Sequence, residues 1–234
     1  MTDVFGYHAL QLGLPAWHAL RTNRMPQRWL AAQLESEHLP AGSQAVHLWT
    51  EFHALPFAPA SVDLVVLPLS LEQSADPHAT LREVERVLVP EGRVVICGLN
   101  PASLWGVRQR RSRWLHRLGW GQPFVPTQGD WISYRRLRDW LRLLGFEVES
   151  SDFGCWQPAI ESSNWLRRLN WMNTLGQRWW PIFGAAYCIV AVKRVRAMTL
   201  LGPAWKSVQR LPRAPVVAAR KALHEISQKT TKPR

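Results

Sequence analysis

The chain has few acids, few cysteines and almost no glycine-rich turns. Its 234 residues carry 17 Asp and Glu against 29 Lys and Arg, and no aspartate occurs between Asp3 and Asp63. The formal charge of +12 speaks to partners rather than to fold, and it favours nucleic acid, anionic lipid or acidic substrates. The three cysteines, Cys97, Cys155 and Cys188, are odd in number and widely spaced. That spacing excludes a disulfide framework and a zinc site and leaves reduced, buried thiols. No apolar run reaches the roughly 18–20 residues of a membrane span. The opening MTDVFGYH has neither the basic flank nor the apolar block of a leader. No G-x-G-x-x-G turn is present, which excludes a dinucleotide cradle of that kind. A cytoplasmic enzyme is the expected class. One domain of about 200 residues buries roughly 70% of its unfolded-chain surface, enough for a core.

What is there centres on residues 51–100. Val62–Pro68 is a β-branched run entered through Asp63, a pattern that suits a strand buried on both faces of a parallel sheet. Asp76-Pro77 then opens a helix with Leu81, Val84, Val87 and Leu88 at helical spacing and Arg82, Glu83, Glu85 and Arg86 between them. Pro90-Glu91-Gly92 reads as the stop and turn, and residues 93–97 as a second buried strand. Strand, helix and strand make one βαβ unit, and ligands of such sheets lie beyond the carboxyl ends of the strands. Here that edge is residues 67–72 and 98–101.

The run ALPFAPASVDLVVLP followed by DPHATLREVERVLVPEGRVVI resembles the class I S-adenosylmethionine-dependent methyltransferases of the small type 11 group. The resemblance spans roughly residues 7–193, and its central part is the specific one. It implies an α/β fold: a three-layer Rossmann-like sheet, mostly parallel, with an antiparallel last strand. It also implies S-adenosylmethionine as cofactor and transfer of a methyl group to an acceptor, with a small molecule favoured. The other reading is a non-catalytic module of the same fold that binds RNA, an anionic membrane or a protein partner.

Residues 7–14 (YHALQLGL) read as the first strand and its glycine turn. The resemblance implies an acidic, glycine-rich loop here. This chain has Gln11 in the acidic place and one glycine, Gly13, followed by Pro15. A pared-down cofactor loop at Gln11, Leu12, Gly13 and Leu14 and a plain strand-and-turn both remain open. Residues 16–21 read as a short helix, residues 28–32 as a strand or helix, residues 38–43 as a loop and residues 45–50 as a short strand. The resemblance implies an acid for the ribose after the second strand, and none is assignable. It implies adenine contacts at Glu51 and at Phe52, whose ring is able to stack on a purine. A solvated carboxylate beside a core phenylalanine is the bland alternative. It also implies that Pro68, Leu69 and Ser70 face the methyl donor. Glu72 and Asn100 read as substrate contacts, or else as a helix-start charge and a turn-forming amide. No metal is expected.

The 14 tryptophans gather in the second half. Residues 104–121 read as a basic, aromatic helix with Val107, Trp114, Leu115 and Leu118 on one side. Three readings stand: a solvated helix with a core-facing stripe, a nucleic-acid surface, or a membrane-interface helix. Residues 134–144 read as an amphipathic helix capped at Gly145, and residues 146–150 as the sixth strand. Residues 155–184 form a Trp/Arg-rich insertion, read as a lid over an apolar pocket with Trp165 as a substrate contact, or else as extra core. Residues 185–193 read as the last strand. The expected domain is residues 1–195. Residues 196–234 are expected to be a basic, disordered tail with a short helix at 216–226.

Overall fold

The computed structural model describes residues 6–33, 45–119, 130–158, 168–169 and 171–195. The expectations for Trp165, for the loop at 38–43 and for the tail at 196–234 fall outside them. Seven strands appear in chain order: β1 His8–Leu12, β2 Gln27–Ala32, β3 Leu48–Trp49, β4 Val62–Pro68, β5 Leu88–Leu99, β6 Phe146–Gly154 and β7 Ala186–Lys193. They form one sheet in the order β3-β2-β1-β4-β5-β7-β6. The first five pair in parallel, and β7 inserts antiparallel between β5 and β6. Among the described residues four helices accompany them: α1 Pro77–Val87, α2 Leu104–Arg117, α3 Tyr134–Leu143 and α4 Trp171–Trp179.

The central unit forms as its residues dictate. β4 is buried along nearly its whole length. Asp63 at its start accepts hydrogen bonds from the Tyr7 and His8 backbone at 2.9 Å each, which pins the entry of β1 beside it. Asp76 caps α1 by accepting from the His78 and Ala79 N–H groups, and Pro77 takes the first-turn place where its missing N–H costs nothing. Leu81, Val84 and Val87 drop into the main core with Leu10, Leu67 and Ile96. The charges between them have a use as well. Glu83 accepts from the Leu55 N–H at 2.9 Å, and the Arg86 guanidinium donates to the Leu55 and Phe57 carbonyls. The Leu55-Pro56-Phe57 turn is therefore fastened by the helix that follows the next strand. Lys193 at the end of β7 donates to the Glu85 and Leu88 carbonyls and so closes the same corner.

Several boundaries differ from expectation. Residues 90–92 lie within the long strand β5, where Glu91 takes a left-handed φ of 62°. No helix forms at 16–21. The 13–26 connection is a chain of turns whose Leu20 and Met25 pack on Ala9, Leu64 and Val66. Short apolar spacing at 16–20 does not nucleate a helix beside Pro15 and without a cap. Helices α1 and α3 both send their buried leucines and valines into the main core on one face of the sheet. α2 is the sharpest difference. Its buried positions are Gly106 and Gln109, while Val107, Trp114 and Leu118 stand 55%, 62% and 56% exposed. The apolar stripe is real, but it faces away from the core.

Candidate active site

The carboxyl ends of β1, β3, β4 and β5 bring the expected residues to one edge of the sheet. Gly13 follows β1 with φ 77°, and Leu14 continues the turn at φ 45°. A side chain on Gly13 would meet Ser70 Oγ at 3.0 Å and the Phe52 ring at 3.4 Å. The close approach there is made by the protein itself. Phe52 is 2% exposed and belongs to the main core, so its ring packs behind the loop and offers no face for stacking. Ser70 is fully buried, and its hydroxyl donates to the Leu12 carbonyl, tying β4 to β1.

Gln11 has a structural task that its position in the chain did not reveal. Its amide nitrogen lies within hydrogen-bonding distance of the Gly13, Leu14 and Trp17 carbonyls, at 3.2, 3.1 and 2.7 Å. Its amide oxygen accepts from the Ala19 N–H at 3.2 Å. One buried amide thus organises the whole turn after β1. A glutamate there has no N–H to offer three carbonyls. Gln11→Glu is expected to destabilise the fold by about 2 kcal/mol, read as a lower urea midpoint at unchanged slope.

Glu51 lies just after β3 with its side chain 42% exposed, and the His53 Nδ1 stands 3.7 Å from its carboxylate. Its carboxylate keeps acceptor capacity toward solvent. The residue immediately after β2 is Gln33, half-buried. The sequence left the ribose position empty because it offered no acid. The observed end of β2 places an amide, able to donate and accept, directly after that strand. Leu69 is half-buried with φ 55°, and its N–H donates to the Cys97 carbonyl.

Glu72 is 2% exposed and accepts from the Leu99 N–H at 3.1 Å. Burial pushes its carboxyl up to about 7, against the opposing pull of that hydrogen bond. Tyr187 stands beside it, with its hydroxyl donating to the Ile132 carbonyl at 2.9 Å. Burial, and then the nearby Glu72 charge, push the Tyr187 hydroxyl well above its usual range. Asn100 is committed elsewhere. Its amide donates to the Ile182 and Gly184 carbonyls at 2.7 and 3.0 Å, so it anchors the insertion to the end of β5 instead of presenting itself to a substrate. Cys97 and Cys188 face each other across β5 and β7 with sulfurs 2.9 Å apart. Among the described residues no cluster has the makings of a metal site.

The insertion does shape a cavity. Trp156 donates through its ring N–H to the Trp180 carbonyl at 2.9 Å, and Gly176 of α4 lies flat against the Trp156 ring. A cavity of about 470 Å³ opens between α2 and α4, walled by Leu104, Val107, Trp171, Leu175, Trp180 and Phe183. A second cavity, of about 370 Å³, lies along β2 among His18, Arg21, Arg28 and His47. Neither is lined by Glu51, Leu69 or Ser70.

A seven-stranded sheet of this order, with one reversed strand next to last, is the fold of the class I methyltransferases. Residues 26–96 match the family model described as methyltransferase domain. The chain therefore carries a methyltransferase-domain segment within a sheet of the Rossmann-like methyltransferase fold. It is 31% identical over 160 residues to the protein YafS of Escherichia coli (strain K12), covering 63% of this chain and 55% of that one. It is 34% identical over 68 residues to the demethylmenaquinone methyltransferase of Chlamydia pneumoniae, 29% of each chain. The chain thus spans about half the length of the first relative and less of the second. Among solved structures, a methyltransferase of Thermotoga maritima described as a possible histamine N-methyltransferase superposes with a TM-score of 0.57. The match is at 16% identity over 82% of this chain and 84% of that one, a likeness of fold. No described helix is long and apolar enough to cross a membrane.

Proposed function

We propose that the chain transfers a methyl group from S-adenosylmethionine to a small acceptor with an apolar body. The observation that carries this reading is the methyltransferase-domain segment seated on a sheet of the matching strand order. The residues at the strand ends fit the cofactor in part. The Gly13–Leu14 backbone turn, Gln33 and Glu51 are the groups that would hold it, with Glu51 accepting from the adenine amino group. Gln11, Phe52 and Ser70 support those groups from behind. Bound there, the cofactor supplies an electrophilic methyl on a sulfonium. The chain contributes orientation, an apolar wall at Leu69, and a carboxyl at Glu72 that titrates close to neutral pH. The apolar cavity between α2 and α4 supports a hydrophobic acceptor. The relatives include a demethylmenaquinone methyltransferase, whose name points to a quinone.

The internal engagement of Gln11, Phe52 and Ser70 also favours a second reading, a module of this fold that has given up catalysis. Calorimetric titration with S-adenosylmethionine separates the two. Micromolar binding, weakened about tenfold by Glu51→Ala through loss of one charge-assisted hydrogen bond, supports the enzyme. No heat at millimolar cofactor leaves the module.

A further inference from the structure

We infer that α2 and the adjoining insertion dock on the surface of an anionic phospholipid bilayer. Leu104, Val107, Trp114 and Leu118 follow one another at helical spacing along a single stripe of α2, and all four are more than half exposed. Helical geometry sets Arg111 within that stripe, Arg110 and Arg117 along one border and Arg108 along the other. No Asp or Glu occurs anywhere in residues 100–129. The stripe runs directly into the insertion. Leu104 and Val107 share the walls of the apolar cavity with Trp171 and Leu175 of α4, beyond which Trp179, Trp180 and Phe183 are also exposed. One continuous face therefore carries tryptophan and leucine framed by arginine.

That chemistry suits one occupant. A helix lying in the headgroup plane buries an apolar stripe at the acyl boundary and sets cations among the lipid phosphates. Tryptophan is favoured at that depth because its ring is apolar and its N–H is not. A soluble protein partner with an apolar groove would satisfy the stripe, but it would also have to supply acids around the whole border. Single-stranded RNA would satisfy the arginines and leave Val107 and Leu118 wet. The docking stands apart from the catalytic reading. Its one extension, that an apolar acceptor passes from the bilayer into the cavity without crossing water, rests on that reading.

The full chain is to be sedimented with phosphatidylcholine vesicles and with vesicles in which about a third of the lipid is phosphatidylglycerol. Binding is expected to be roughly tenfold tighter to the anionic vesicles and to weaken as salt rises. Trp114→Glu with Leu118→Glu, and separately Arg110→Glu with Arg111→Glu and Arg117→Glu, should each lower the bound fraction about tenfold. The milder Trp114→Ala with Leu118→Ala keeps the test valid if the glutamates disturb folding, and thermal melts check each variant. Vesicle binding unchanged in these variants overturns the inference, because the basic residues after 205 would then suffice. So does a wild-type chain that ignores vesicles and binds poly(U) through the same arginines. A negative cofactor titration has no bearing on either outcome.

Discussion

Gly98→Ala is expected to destabilise the fold by about 3 kcal/mol or more, enough to empty much of the native state of a marginally stable domain. Ordinarily this change in a strand is mildly favourable, since glycine loses the most backbone freedom on folding. Here the added carbon would stand 2.4 Å from the Tyr187 hydroxyl and 2.7 Å from a Glu72 carboxyl oxygen. Neither neighbour is free to leave. The ring is 2% exposed and its hydroxyl is bonded to the Ile132 carbonyl, while Glu72 is fixed to the Leu99 N–H. The methyl group must break one of those bonds or push β7 away from β5. Urea unfolding measures the loss, and adding Tyr187→Phe should recover part of it, because the ring carbon at 2.5 Å remains. A neutral or stabilising alanine would mean that Glu72 and Tyr187 do not meet over Gly98.

The second large effect depends on pH. Burial raises the folded-state pKa of Glu72 from 4.5 to about 7, making it a weaker acid. The neutral acid is thus the form the fold prefers. Its favourable contribution is complete below pH about 4.5 and is lost as pH rises through about 7. Glu72→Gln imitates the neutral acid at every pH, with its carbonyl still able to accept from Leu99. The variant should match the wild type near pH 4 and exceed its stability by about 2–3 kcal/mol at pH 8. The same substitution should cost turnover if Glu72 takes a proton from the acceptor, removing a rise in rate through neutral pH. Parallel stability curves for the two proteins between pH 4 and pH 8 would mean that the carboxyl is solvated and ordinary.

The β4–α1–β5 unit was legible because its signals are local: a β-branched run, an Asp-Pro opening and apolar residues at helical spacing. The reason Glu83 and Arg86 stand where they do was not. They hold the Leu55-Pro56-Phe57 turn, and that contact exists only once the strands are placed. The α2 stripe shows the limit of periodicity most plainly. Spacing at Val107, Trp114 and Leu118 announces one apolar side, but it does not say whether protein, lipid or water lies against it. Phe52 and Ser70 were read as lining a ligand site because they sit at its margin in the chain. Packing turned both inward, behind Gly13. Gln33 drew no attention because only acids were sought after the second strand, and the end of β2 was not legible.

The position of β7 sets a timetable for the polypeptide as it leaves the ribosome. β5 is made early, yet one of its two edges waits for Ala186–Lys193, separated from it by nearly a hundred residues. Until those arrive, the Val94–Cys97 backbone offers unpaired amides and carbonyls beside apolar side chains, a surface on which nascent chains adhere to one another. Pairing over so long a separation is slow. A product that stops short of Ala186 should accumulate as insoluble material, and a chaperone that shields that edge should raise the yield of full-length protein.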